Sequence, residues 1–226
     1  MKFHFEQLGL LDDADIELAD LTLICGENNT GKTYATYAVY GFLRSWRQIL
    51  RFLLEDEINR LLADTNQYRI DLALLFDGKV DSYLERMGKA YVSGLPRALA
   101  AESNVFENTI CVINSCKATD FLTQAYQRTV QADASGKVLA TLNKEAGNTL
   151  LDVLVADAEG LQQPFGGLTD FIINAMADIV FAEHLPRVHS ASAERTGAAI
   201  FRKELDMART RMLKAIHQID SKELKR

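Results

Sequence analysis

Apolar and polar residues alternate at the start of the chain. Phe3 and Phe5 flank His4, and Ile16 and Leu18 alternate with Asp15 and Glu17. A period of two predicts strands with one buried face, and Asp12-Asp13 between them predicts a turn. Leu21-Thr22-Leu23-Ile24-Cys25 is a short apolar run suited to a central strand. After Lys32 the period changes. Tyr37, Tyr40, Phe42, Leu43, Trp46, Leu50, Leu53, Leu54, Ile58, Leu61 and Leu62 recur every three or four residues, and no Pro or Gly falls between Gly41 and Asp77. That spacing predicts one long helix or two abutting ones, with more helices over 70–100 punctuated by Gly88, Gly94 and Pro96. Strands are expected at 109–113, 136–142 and 150–155, with turns at Gly147-Asn148 and Gly166-Gly167. Helical spacing returns over 171–181, residues 187–190 read as extended, and 198–225 reads as a closing helix. The order of elements indicates a mixed α/β fold.

Composition narrows the function classes. The chain has 226 residues, 48% apolar and 25% charged, enough for one large domain. Arg44, Arg47 and Arg51 interrupt the apolar positions of the first long helix, and the N-terminus has no apolar stretch suited to a signal peptide. Cys25, Cys111 and Cys116 form no CxxC pair. A reduced, cytoplasmic protein without a membrane span is expected. The net charge of −6 argues against a surface that coats nucleic acid throughout. Residues 202–226 nevertheless carry +4, leaving −10 on the rest, so the closing helix is either a solvated basic face or an arm for DNA or a partner. Its apolar positions Phe201, Leu205, Ala208, Met212, Ile216 and Ile219 make a narrow seam, for a partner helix or for the chain's own domain.

The chemistry lies between the first helix and the run before it. Gly26-Glu27-Asn28-Asn29-Thr30-Gly31-Lys32-Thr33 matches G-x-x-x-x-G-K-[ST], a pattern with roughly 0.004 chance occurrences in a chain of this composition. Its glycines let backbone N–H groups approach phosphate oxygens. Lys32 supplies a point charge to the β- and γ-phosphates, and the Thr33 hydroxyl ligates Mg²⁺. The helix that follows adds its positive end. ATP with Mg²⁺ is the expected ligand, and Gly26 to Thr33 with Tyr34 the expected nucleotide-binding residues.

Phe5, Ile16-Glu17-Leu18 and the run from Leu21 through Thr33 together resemble the N-terminal lobe of RecF/SMC/OLD-like ATPases of bacteria, in which a β-hairpin precedes the P-loop strand. Ser192-Ala193-Glu194-Arg195-Thr196-Gly197 is similar to a Pro-Ala-Glu-Arg-(Ser/Thr)-Gly segment of that family, with Ser192 in place of the proline. The resemblance implies an ABC-type P-loop fold whose N-terminal lobe carries an antiparallel β-subdomain and a helical insertion. The implied layout is a hairpin, P-loop strand and helix start over 1–44, the insertion over 45–105, mixed β/α structure over 106–197 and the basic helix over 198–226, where a coiled-coil arm would begin. Glu194 and Arg195 would form a nucleotide-coupled loop, or a structural ion pair with a helix cap. DNA, and a nuclease or toxin in phage defence, are the partners the resemblance implies.

The family's later motifs are the gap. Val153-Leu154-Val155-Ala156-Asp157 and Ile179-Val180-Phe181-Ala182-Glu183 are the nearest approaches to a Walker B strand, and neither ends in Asp-Glu. Both read better as ordinary structure, Gly166-Gly167 lacks the serine of a signature segment, and no catalytic residue is assigned. The chain therefore reads as the N-terminal half of such a head. ATP binding with weak or no turnover is expected, as a homodimer or with a chain or segment that carries Walker B. A small P-loop kinase and a non-hydrolysing ATP-switch subunit are the competing readings. The histidines are dispersed, His184 and His189 do not share a helical face, and Cys25 is expected to be a buried small hydrophobe.

Overall fold

The computed structural model describes residues 1–27, 30–62, 67–99, 101–114, 122–131, 136–157, 167–182, 184–186, 188 and 189. They belong to a compact unit, Met1–Val188, except for His189, which opens a second unit, His189–Arg226. Asn28, Asn29, Cys116, Gly166, Glu194, Arg195 and the expected closing helix lie outside the described residues.

The fold is mixed α/β with two antiparallel sheets. The first has the order β2-β1-β4, from β1 (Lys2–Leu8), β2 (Leu11–Glu17) and β4 (Ile110–Asn114). The second has the order β3-β7-β6-β5, from β3 (Gln67–Asp71), β5 (Tyr126–Gln131), β6 (Val138–Lys144) and β7 (Leu150–Val155). The helices are α1 (Lys32–Leu61), α2 (Leu72–Phe76), α3 (Val80–Val92), α4 (Leu95–Ala98) and α5 (Leu168–Met176), the last continuing as a π-turn over Ala177–Phe181.

Alternation puts Phe3, Phe5 and Ile16 on the buried face of the first sheet, and Leu8 is buried as well, past Gln7, whose φ of +51° breaks the alternation. There they meet α1, whose Phe42 ring packs edge-on to Phe3 at 5.6 Å and to Tyr91 of α3 at 5.5 Å. Gly88 lets α3 lie directly on β4, where any Cβ would run into the Cys111 carbonyl oxygen. The far half of α1 packs against α5. Phe181 gathers Trp46, Phe76 and Tyr83 around it at 5.7–6.4 Å. α1 thus extends for 30 residues, about 45 Å, as a spine from the hairpin to α5.

Four expectations are corrected. The hairpin turns at Gly9-Leu10, because Leu8 pairs with Leu11 and Asp12-Asp13 lie within β2. Residues 67–71 form a strand, its Arg69 joined to Asp152 across to β7, and Asp71 caps α2 by accepting from the Ala73 N–H at 3.0 Å. The run Leu21–Cys25 is not a strand. It is irregular and exposed, Leu21 at 75% and Leu23 at 76%, because no described strand pairs with it. Cys25 is accordingly exposed and not buried.

Candidate functional site

The glycine-rich loop sits where the hairpin meets α1. After β2 the chain is pinned by Thr22, whose hydroxyl donates to the Glu17 carbonyl at 2.9 Å and accepts from the Ala19 N–H at 3.2 Å. Gly31 then holds φ +84°, a left-handed conformation that costs other residues about 1–2 kcal/mol. The chain turns there into the first turn of α1, where the Ala35 N–H donates to the Gly31 carbonyl at 3.1 Å. The preceding N–H groups of that turn have no intrahelical partner.

Lys32 closes the loop on itself. Its Nζ donates to the Gly26 carbonyl at 2.9 Å and to the Glu27 carbonyl, while the Thr30 hydroxyl donates to the same Glu27 oxygen at 2.9 Å. Among the described residues no carboxylate pairs with the Lys32 ammonium. Beside it lies a cavity of about 360 Å³ bounded by β2, by the exposed run and by Cys25, Thr30 and Lys32. Thr33 is exposed on the first turn. Tyr34 points its ring elsewhere, against the Gly9 turn and 6.1 Å from Phe106.

The two stretches weighed as Walker B lie in other settings. Val153–Val155 belongs to β7, antiparallel to β6, and Asp157 beyond it pairs with Lys137 at 2.8 Å. Ile179–Phe181 is part of the π-turn, not a strand. Gly167 precedes α5. His184 is buried and His189 exposed.

The structure assembles one cluster that the sequence pattern did not point to. On the outer face of the hairpin, His4 Nδ1 stands 2.9 Å from Asp15, and Nε2 stands 3.2 Å from Glu6 and 3.7 Å from Asp13. The hydrogen bonds that the His4 ring donates to the Glu6 and Asp15 carboxylates raise its pKa above the usual value. One ligand atom each from His4, Asp13 and Asp15 fall within 4.8 Å of one another. The signal was the strand register: once the turn is at Gly9-Leu10, His4 faces Asp15 and Glu6 faces Asp13.

Comparison of the chain with protein-family models, with curated proteins and with solved structures finds no match. Among the described residues no helix is long and apolar enough to cross a membrane.

Proposed function

We propose that Gly26–Thr33 binds the phosphates of ATP with Mg²⁺, and that the chain is the N-terminal half of a RecF/SMC/OLD-like ATPase head. The observation that carries this reading is Lys32. From the first turn of a 30-residue helix, its ammonium reaches back across the loop to the Gly26 and Glu27 carbonyls, with Gly31 supplying the left-handed turn. The residues fit the ligand. Lys32 would hold the β- and γ-phosphates together with the N–H groups of the first turn, and the exposed Thr33 hydroxyl would ligate Mg²⁺. Bound Mg²⁺ neutralises phosphate charge. The chain's own part is to orient the phosphates and fix the metal.

The exposed Leu21, Leu23 and Ile24 beside the loop support the second half of the proposal, since a run of this composition suits a strand covered by others. On this reading the strand that carries Walker B, and with it hydrolysis, comes from another segment or chain, so the isolated chain binds ATP and turns it over weakly or not at all. DNA and a nuclease or toxin remain the partner classes that the resemblance implies, with the cytoplasm as the expected location. The hairpin before the loop disfavours a small metabolite kinase, which would open directly on the P-loop strand.

Calorimetric titration of the chain with Mg·ATP tests the proposal. Binding should be lost or weakened at least about tenfold in Lys32→Ala. Equal binding by Lys32→Ala, or no binding at millimolar ATP, refutes the phosphate site. Vigorous phosphate release that depends on Lys32 refutes the half-head assignment.

A further inference from the structure

A larger groove, of about 1050 Å³, lies away from the loop, between α1 and the α3–α4 segment. Its floor is Tyr91, a buried residue whose hydroxyl donates to the Ala38 carbonyl at 2.8 Å. Gly41 allows that approach, since a Cβ there would collide with the tyrosine hydroxyl. Tyr37, Tyr40, Arg44 and Gln48 of α1 form one wall, and Arg97 of α4 stands on the other side.

The charge of this groove is unlike that of the chain. The sequence holds 31 Asp and Glu residues, yet none of those among the described residues lines the groove. Arg47 and Arg51, on neighbouring positions of α1, reach Asp178 and Asp170 at 2.6 Å, and Arg69 reaches Asp152 at 2.7 Å. Arg44 and Arg97 have no ion pair or hydrogen bond among the described residues. Two guanidinium groups without a counter-charge among the described residues share a concave surface with two tyrosine rings, Tyr37 being half exposed.

We propose that this groove binds a nucleotide unit, its phosphate held by Arg44 and Arg97 and its base stacked on Tyr37 or Tyr40. The guanidinium fork matches phosphate oxygens in pairs. A tyrosine face stacks a base without regard to its sequence. An acidic peptide would satisfy the arginines but leave the tyrosine faces unused. The unit can arrive as a free mononucleotide or within a single strand, and the volume exceeds what drug-sized ligands need. The inference does not rest on the phosphate loop, which requires polyphosphate and Mg²⁺.

The test uses the full chain carrying Lys32→Ala, in EDTA, with a fluorescent oligothymidylate that has a 5′-hydroxyl end. Anisotropy should report binding, weakened about tenfold or more by Arg44→Glu or Arg97→Glu, and about fivefold or more by Tyr37→Ala. Displacement by UMP assigns the site to free mononucleotides, and displacement only by longer strands assigns it to nucleic acid. Arg44→Gln and Arg97→Gln, checked for an unchanged unfolding midpoint, should give the same loss in milder form. An oligonucleotide bearing 5-iodouridine should photocross-link to the peptides that hold Tyr37 or Tyr40. No binding, binding indifferent to these arginines, equal displacement by a polyglutamate peptide, or cross-links confined to residues 202–226 would each overturn the proposal.

Discussion

Gly31 joins the hairpin, the loop and α1, and replacing it with alanine separates two costs. The first is conformational. At φ +84° an alanine loses about 1–2 kcal/mol. The second is steric. A Cβ would lie 2.6 Å from Leu11 Cγ and 2.7 Å from Cδ2, about 1 Å inside ordinary carbon contact. Leu11 is part-buried against the core, so moving it counts as overpacking, at about 1–3 kcal/mol. Alanine recovers no helix propensity, because Gly31 precedes the first helical residue, Lys32. The sum is about 2–5 kcal/mol, or a fall of roughly 4–20 °C in Tm for a unit of this size. Urea unfolding followed by circular dichroism measures it. Leu11→Ala removes the steric part, so Gly31→Ala should cost about 1–3 kcal/mol less in the Leu11→Ala background than in the wild type. An unchanged midpoint in Gly31→Ala, or the same cost in both backgrounds, refutes the account.

Gly88→Ala should destabilise by about 1–3 kcal/mol, because its Cβ meets the Cys111 backbone carbonyl in a paired strand, whereas Gly41→Ala should cost less, because only the end of the Tyr91 side chain must move; equal unfolding midpoints for the two would refute the distinction. The raised His4 pKa means the folded state binds this proton more tightly, so its stabilisation is complete below pH 6.5 and is lost as pH rises through the raised value. The effect on a part-exposed cluster is under about 1 kcal/mol; wild type minus His4→Gln stability, measured from pH 5.5 to 9, should fall with rising pH, and a flat difference sinks the assignment. Leu21→Ser and Leu23→Ser should each change stability by less than about 0.5 kcal/mol, since both side chains are exposed; a loss above about 1 kcal/mol in urea unfolding would show that the run is packed. Burial pushes the Cys111 thiol up to about 12, while Cys25 is exposed. Iodoacetamide at pH 8, read by peptide mapping, should modify Cys25 quickly and Cys111 only as the chain unfolds; equal rates would contradict this burial.

What was legible in the sequence was whatever a local period or a local motif encodes. β1, β4, β6 and β7 fall at or within a few residues of their expected places, and α1 begins where the apolar spacing changes at Lys32. β5 was missed because Tyr126–Gln131 buries only Val130 and so shows almost no alternation. β3 was missed because Gln67–Asp71 has little apolar content and lies in a region without Pro or Gly to mark a boundary. Leu21–Cys25 was misread for the opposite reason: an apolar run reports that a segment could be covered, not that anything covers it. The loop itself was readable because its chemistry is contiguous. The His4 cluster depends on strand register, and the Arg44–Arg97 groove on helices more than 40 residues apart in sequence, so neither has a linear signature.

The loop's geometry also bears on what it would select. Lys32 already donates to the Gly26 and Glu27 carbonyls, so any phosphate that takes its ammonium must replace those bonds. Hydrogen bonds from a charged donor contribute about 1.5–3 kcal/mol each. A singly charged anion offers little beyond exchange of one acceptor for another. A polyphosphate offers several charged oxygens at once, enough to hold Lys32 and the open N–H groups of the first turn together. If the loop binds phosphate as proposed, the self-closed lysine acts as a threshold that discriminates by ligand charge before any contact with a base or sugar. The Glu27 carbonyl strengthens that threshold, because it also accepts from the Thr30 hydroxyl and so links the lysine to a second donor of the loop. On the proposed reading, selectivity for the triphosphate begins in the backbone of the loop itself, and Gly31 sets it by fixing where Lys32 starts.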